Sequence, residues 1–157
     1  MPGHVPLVTT PSRIDLIEDV LATAEAERPV ALGWATVELD RAALELAAEL
    51  RIGVAAFLPA ADSVVLGARC RIAYGVLTGG RPLVLLEPAT EGLLAVALAR
   101  RGEGPAATWD RAADATTTPG TGTAQPGPFG LERLAPGGPA HGPYRLLIDD
   151  GPGTIHR

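Results

Sequence analysis

Apolar positions near the start of the chain recur with a helical period. The apolar positions of this stripe are Ile14, Ile17, Val20 and Leu21. Ser12 begins the predicted helix, Asp15 forms a capping-box-like pair with it, and Pro29 follows its end. A helix with one apolar stripe must pack on something. We expect it to cover either the domain that follows or a second subunit.

The next segment predicts one strand followed by one helix. Val30 to Glu38 has the apolar and β-branched content of a core strand. Asp40 is the expected N-cap of a helix that ends before Gly53. The leucines and alanines of this helix can cover one face of a sheet.

A strand, a turn and a helix follow in the stretch Arg81 to Gly104. The apolar run at 82–87 lies between Gly80 and Pro88, which favours a strand buried on both faces. Thr90 is the expected cap of the helix, and Gly102 is the residue expected to end it.

Further strands complete a β-α-β-β-β order. The three strands predicted in the first half are Val54 to Leu58, a long strand around Arg69 to Val76, and Leu83 to Glu87. Residues 111–128 are rich in Thr, Gly and Pro and predict a flexible loop. A short element at Phe129 to Leu134 and a last strand at Tyr144 to Ile148 follow.

Composition narrows the function classes. The chain has 157 residues, 46% hydrophobic, with 13 basic against 18 acidic residues and a net charge of −5. This composition fits a single core, and with no basic block we expect no nucleic-acid partner. The single cysteine, Cys70, allows no internal disulfide. Without a signal-like N-terminus or a long apolar run, we expect a soluble, cytoplasmic protein with no membrane partner.

Two sequence motifs resemble those of a known superfamily. TVELDRAA at Thr36 to Ala43 resembles a strand-to-helix junction of the vicinal oxygen chelate superfamily, which includes glyoxalases, bleomycin-resistance proteins and methylmalonyl-CoA epimerases. LVLLEPATEG followed by LARRGEG, Leu83 to Gly104, is similar to the epimerase branch. The resemblance covers roughly Val30 to Asp110.

The resemblance implies an α+β fold in which βαβββ modules form an open, curved sheet around a cavity. We expect an N-terminal arm and helix at 1–29 and a glyoxalase-like domain at 30–157. Within that domain we expect a first module at about 30–88, a linking helix at 89–102, and a shortened second module at 103–157 that contains the flexible loop 111–128. Because the second half is abbreviated, either a second chain completes the sheet or the N-terminal helix, Ser12 to Glu27, covers the gap. We expect a homodimer.

The same resemblance implies a divalent metal held by His, Glu or Gln from four strands. At the implied ligand positions the chain instead has Trp34 or its neighbours, Val84, Ala106 or Ala107, and a strand ending at Ile148. Apolar residues would leave a metal without ligands, so we expect neither a metal nor another cofactor. We expect Trp34, Val84, Ala106 and Ile148 to line the former metal centre.

Other residues could contribute binding or acid–base chemistry. Trp109 could form an aromatic floor with Trp34, and Arg71 could bind a carboxylate or phosphate if its strand face points into the cavity. Glu87 and His141 are weak catalytic candidates as acid–base groups. For each of them, core packing or a solvated surface position is the plainer interpretation.

Two classes of function therefore remain, with a third behind them. The first is a metal-independent protein that binds a small organic molecule, as in the bleomycin-resistance branch. The second is a metal-independent isomerase, epimerase, cyclase or lyase acting on an acyl or polyketide-like substrate. The third is a structural or interaction domain.

Overall fold

The computed structural model describes residues 12–23, 29–111, 121–135 and 143–149. The helices are α1 Arg13–Thr23, α2 Leu39–Leu50 and α3 Leu93–Arg101. The strands are β1 Ala31–Ala35, β2 Leu58–Ser63, β3 Ala68–Leu77, β4 Arg81–Pro88, β5 Gly104–Arg111, β6 Thr121–Gly127, β7 Gly130–Leu134 and β8 Tyr144–Ile148. Short 3₁₀ turns lie at Val54–Ala56 and Thr78–Gly80. None of the described helices is long and apolar enough to cross a membrane.

All eight strands form one sheet with an internal repeat. Its order is β2-β3-β4-β1-β5-β8-β7-β6, so β1 to β4 and β5 to β8 are arranged alike on either side of the β1–β5 junction. β1 pairs with β4 in parallel, and β5 pairs with β8 in parallel. β1 and β5 pair antiparallel and join the two halves. The repeat positions the central strands β1, β4, β5 and β8 side by side.

The sheet curves until its two edges nearly meet. The backbone N–H of Val64, just after β2, donates to the carbonyl of Pro126 in β6 at 3.1 Å. A side-chain hydrogen bond from Ser63 to Glu132 in β7 crosses the same seam. We call the concave surface of the sheet the inner face and the convex surface the outer face.

The helices α1 and α2 cover the outer face. Ile17 and Leu21 of α1 are buried in one core cluster with Leu32, Leu46 and residues of β4. The helix contacts α2, β1 and β5. The apolar stripe of the predicted N-terminal helix therefore packs on its own chain.

The start of α1 has the predicted capping box. Ser12 Oγ accepts a hydrogen bond from the backbone N–H of Asp15 at 3.1 Å, and Asp15 Oδ2 accepts one from Ser12 N–H at 3.3 Å. These reciprocal bonds satisfy two donors that a helix N-terminus otherwise leaves without partners. The prediction from the Ser12–Asp15 spacing is confirmed.

The start of α2 differs from the prediction. Asp40 lies in the first turn, and the N-cap residue is Glu38, whose side chain makes no capping bond. Glutamates distant in sequence bind this N-terminus instead. Glu87 Oε1 accepts the N–H of Leu39 in the first turn at 2.8 Å, and Glu103 Oε2 accepts the N–H of Val37, just before the helix, at 2.9 Å. The sequence signal for a local cap was wrong because the cap is tertiary.

Two strand predictions and one helix start were also wrong. The segment predicted as a strand from Val54 to Leu58 begins with a 3₁₀ turn, and β2 starts only at Leu58 and continues to Ser63. Part of the predicted loop 111–128 is β6, while 112–120 lie outside the described residues. α3 begins after Gly92 rather than at Thr90. β2 and β6 are edge strands, where Pro and polar residues are tolerated, so their composition is typical of a loop.

Candidate functional site

The inner face is lined by alternate residues of the central strands. Val84 in β4 pairs with Gly33 in β1 and Ile72 in β3, and Ala107 in β5 also pairs with Gly33. Paired residues share one face of a sheet. Val84, Ala107 and Ile72 belong to a single buried cluster, so the centre of the inner face is apolar.

Trp109 fills the middle of this interior. Its indole ring lies over Gly33, where an added Cβ would be only 2.8 Å from Trp109 Cζ3 and 2.7 Å from Leu86 Cδ1. Phe129 contacts the ring edge-on, with centroids 5.5 Å apart. A glycine in β1 therefore makes room for the tryptophan of β5.

Glu132 places a carboxylate in the same apolar interior. The residue is only 1% exposed. Glu132 Oε1 accepts a hydrogen bond from Trp109 Nε1 at 2.8 Å, and Oε2 accepts one from Ser63 Oγ at 2.6 Å. A Cβ on Gly127 would collide with the carboxylate. Glu132 thus connects β7 to β5 and, across the seam, to the end of β2.

Burial raises the pKa of Glu132 above its ordinary value of 4.5, although the hydrogen bonds from Ser63 and Trp109 act in the opposite direction. The apolar surroundings favour the neutral acid. The two donors stabilise the carboxylate. Glu132 is the acid–base group that the structure places on the inner face.

Cys70 lies on the same wall as an unreactive thiol. Burial raises the pKa of Cys70 to about 12, so the thiol is neutral at physiological pH. Arg69 and Arg71, its sequence neighbours, point to the other side of β3, where they pair with Glu87 and Asp40. The buried structural cysteine is the interpretation that fits this geometry.

The residues at the centre do not fit the divalent metal that the resemblance implies. Val84 and Ala107 carry no ligand atoms, and the ring of Trp109 occupies the space above Gly33. Within the described ranges, no group of three or more His, Cys, Asp or Glu side chains could hold a metal ion. The carboxylate of Glu132 already accepts hydrogen bonds from two donors, Trp109 and Ser63.

The predicted lining residues separate into two groups. Val84, Ala106, Trp109 and Ile148 are all buried in the inner cluster, with Ala106 as the extra residue of a bulge opposite β1. Trp34 is buried in the outer cluster under α1 and α2. The expected pair of Trp34 and Trp109 is therefore not formed, because adjacent strand residues point to opposite faces and Gly33 points inward.

Arg71 and Glu87 also lie away from the interior. They line a polar cleft of about 350 Å³ on the outer surface, at the start of α2. Arg71 pairs there with Asp40, and Glu87 pairs with Arg69 while accepting the N–H of Leu39. Glu87 therefore acts as a helix cap in this structure. His141 lies outside the described residues.

One end of the inner face is open to solvent. Leu58 in β2 pairs with Ile72, and Tyr74 lies two residues further along β3, where the β3–β4 register shifts. Leu58 is 49% and Tyr74 62% exposed, although Ile72 between them is buried. The apolar interior thus continues outward as a strip of Leu58, Ile72 and Tyr74, which we call the mouth strip.

Sequence reasoning missed Glu132 and Ser63. In the segment Phe129 to Leu134, strand alternation places Glu132 on the face of Leu134, a weak sign of an inward carboxylate. No pattern in the sequence indicated that the side chain of Ser63 points inward. Their contact depends on the curvature that brings β2 to β7, which no local pattern encodes.

Comparison with solved structures identifies the same architecture. No protein-family model matches the chain, and no curated protein matches it significantly. The structure of methylmalonyl-CoA epimerase from Mycobacterium tuberculosis is similar with a TM-score of 0.62 and 19% identity, over 79% of this chain and 88% of that one. A variant of the Streptomyces coelicolor methylmalonyl-CoA epimerase, in complex with 2-nitronate-propionyl-CoA, gives a TM-score of 0.56 and 19% identity, over 76% of this chain and 94% of that one.

A protein from Bacillus halodurans C-125 is similar to the same degree, with a TM-score of 0.56 and 17% identity, over 76% of this chain and 91% of that one. At these identities the likeness establishes the fold. The chain has the α+β glyoxalase-like fold of the epimerases, built as a curved, nearly closed sheet of eight strands.

Proposed function

We propose that this chain is a metal-independent protein that binds a small organic molecule on its inner face. The observation that carries the proposal is the apolar centre, where Val84 and Ala107 occupy positions at which the resemblance implies metal ligands and Trp109 packs beside them. An apolar interior that continues to the surface suits an organic ligand held by apolar contacts and few polar ones.

The mouth strip is the proposed contact surface. Trp109 and Phe129 fill the interior, so a ligand lies on the exposed continuation formed by Leu58 and Tyr74. An aromatic and an aliphatic side chain that remain half exposed gain free energy when a ligand covers them. The proposed ligand is therefore a flat or acyl-bearing organic compound.

The test is a fluorescence titration of two variants with matched controls. Trp34→Phe leaves Trp109 as the single tryptophan, and Trp109→Phe leaves Trp34. The probes are methylmalonyl-CoA and the flat aromatic 2-naphthol. We expect at least one probe to change the emission of Trp109 saturably, and to leave that of Trp34 unchanged.

The same titration tests whether the ligand contacts the mouth strip. Leu58→Ala should weaken binding about tenfold, because roughly a leucine side chain of contact is lost. Leu131→Ala is the control, since Leu131 is a comparably exposed strand residue on the other face of the sheet. Equal effects of the two changes, or no saturable response to either probe, would reject the proposal.

Glu132 favours a second candidate, a metal-independent isomerase or epimerase acting on an acyl substrate. A buried carboxyl group whose pKa is raised is a candidate to exchange a proton with a carbon acid. Proton NMR in D₂O would follow loss of the C2 hydrogen of methylmalonyl-CoA. If the protein speeds exchange above the rate in buffer alone, and Glu132→Gln abolishes that acceleration, the isomerase or epimerase activity is supported. Exchange at the rate of buffer alone would reject this activity for methylmalonyl-CoA.

The third candidate is a structural or interaction domain. Its support is the filled interior, in which Trp109 occupies the space over Gly33. Absence of both ligand binding and proton exchange would favour it. Homodimer formation and a cytoplasmic location stay predictions, and sedimentation equilibrium measures the first.

A further inference from the structure

A second cleft lies at the opposite side of the sheet from the inner face. It encloses about 750 Å³ between α1, the start of β1 and the turn that joins β3 to β4. This volume is in the range of small-molecule sites. Its apolar walls include Leu21, Pro29, Val30 and Pro82. Its polar groups include Arg81 and Glu18.

Arg81 is held rigidly in this cleft. Its Nε donates to the carbonyl of Thr78 at 2.8 Å, and its Nη1 donates to the carbonyl of Pro29 at 3.3 Å. The guanidinium group has five N–H donors, so these two bonds leave others for a ligand. Because the backbone already fixes the side chain, binding would cost little conformational entropy.

Arg81 also differs from most arginines of the sheet and helices. The arginines paired with a carboxylate are Arg13, Arg41, Arg69, Arg71, Arg133 and Arg145. Across the described ranges, no ion pair neutralises the partly buried Arg81. A fixed, partly buried guanidinium group that forms no ion pair with the described residues favours an anion, and its planar donors match a carboxylate.

Glu18 restricts which anion fits. Its Oε2 accepts the backbone N–H of Thr78 at 3.1 Å, which holds the carboxylate at the cleft. A fixed negative charge disfavours a doubly charged ligand. The carboxylate can accept a hydrogen bond from a hydroxyl or amino group of the ligand.

We infer that this cleft binds a small organic monocarboxylate with an apolar body and a hydroxyl or amino donor. Arg81 binds the carboxylate, Glu18 accepts from the donor, and Leu21, Val30 and Pro82 contact the body. The site is separate from the inner face and does not depend on the function proposed there.

The test is a ¹⁵N–¹H NMR titration of the full chain. The amides of Gly79 and Gly80, which line the cleft, are the reporters. The probe is 2-hydroxy-3-methylbutanoate, and its neutral amide and inorganic phosphate are the comparators. We expect saturable shifts with the carboxylate, and binding weaker by about tenfold or more with the amide and with phosphate.

Matched variants assign the contact. Arg81→Gln should weaken carboxylate binding about tenfold, while Arg69→Gln, which alters the other cleft, should leave it unchanged. Unchanged binding in Arg81→Gln, equal binding of the neutral amide, or no shift of the two glycines would overturn the inference.

A second variant covers the case in which Arg81→Gln does not fold. Glu18→Gln keeps an oxygen to accept the N–H of Thr78 and removes the negative charge. It should raise the affinity for phosphate relative to the carboxylate probe, because the fixed negative charge is removed and the acceptor for the hydroxyl group of the probe is lost. An unchanged ratio of the two affinities would overturn the inference, whatever the inner face binds.

Discussion

Glu132 and Trp109 form the contact on which the interior depends. The carboxylate is buried among apolar side chains and accepts hydrogen bonds from Trp109 and Ser63. A buried charge is tolerated only when such partners are present. Because Glu132 and Trp109 belong to the second half of the sheet and Ser63 ends β2 of the first, the bond from Ser63 ties the two halves together.

The raised pKa of Glu132 predicts a pH dependence of stability. The folded chain holds this proton more tightly than the unfolded chain, so its contribution is full below pH 4.5 and is lost as the pH rises through the raised folded value. We expect Glu132→Gln to remove this fall in the free energy of unfolding. Urea denaturation from pH 4 to pH 8 measures it.

The control is Glu91→Gln, which changes an exposed glutamate before α3. It should retain the fall of the native chain. If Glu132→Gln and the native chain have parallel pH profiles, Glu132 is not the group responsible.

The sequence could not assign the faces of single residues. Trp34 and Trp109 were both expected at the centre, but only Trp109 belongs to the inner cluster. The alternation of side chains along a strand predicts that Gly33 and Trp34 point to opposite faces, but it does not predict which of them points inward. The partners Ser63 and Glu132 lie 69 positions apart, so their contact follows from sheet order and not from spacing.

At the scale of elements, prediction succeeded where the pattern is local and apolar. The strand β4 and the capping box of α1 were predicted, because a buried run and an i to i+3 pair are local signals. The edge strands β2 and β6 were missed, because exposed Pro, Thr and Gly are typical of loops. The N-terminus of α2 was misassigned, because its partners Glu87 and Glu103 are distant in sequence.

The lowered pKa of Glu103 leads to a prediction about how much its hydrogen bonds before α2 stabilise the fold. Burial alone would raise the pKa of Glu103, but hydrogen bonds from Val37 N–H, Arg41 and Thr36 outweigh it and lower the pKa below 4.5. Its stabilisation is therefore present above pH 4.5 and is lost as the pH falls through the lowered value. Glu103→Gln should cost about 1 kcal/mol at pH 7, measured by urea denaturation.

Glu38→Gln is the matched control for this change. Glu38 also faces Arg41, at 3.8 Å, but is well exposed, so its removal should cost only a few tenths of a kcal/mol, on the order of an exposed helix pair. A cost for Glu103→Gln no larger than that of Glu38→Gln would contradict the tertiary cap.

The packing of α1 on the outer face leads to a prediction about the free energy of unfolding. Ile17 is fully buried in a cluster with residues of β1 and β4, whereas its neighbour Leu16 is 38% exposed. Ile17→Ala should lower the free energy of unfolding by about 2–4 kcal/mol through loss of burial and a residual cavity. Leu16→Ala should lower it by less than about 1 kcal/mol. Similar costs would mean that α1 does not pack as described.

At the scale of the whole molecule, the fold was predicted better than the site. The βαβββ order and the words TVELDRAA and LVLLEPATEG led to the α+β glyoxalase-like class, and the solved epimerases have the same fold. At Val84 and Ala106 the sequence has apolar residues where the resemblance implies metal ligands, and both residues are buried in the inner cluster. The filling of the interior by Trp109 could not be predicted from the sequence, because it depends on Gly33 in the neighbouring strand β1.

Metal-independent binding is the central claim, and one measurement tests it most directly. The dissociation constant of the better-binding probe is measured on the Trp34→Phe chain as purified, after extraction with EDTA, and after addition of Co²⁺. The apolar centre predicts the same constant in all three states. Loss of binding on extraction and its recovery with Co²⁺ would contradict the claim and place a metal at the centre of the sheet.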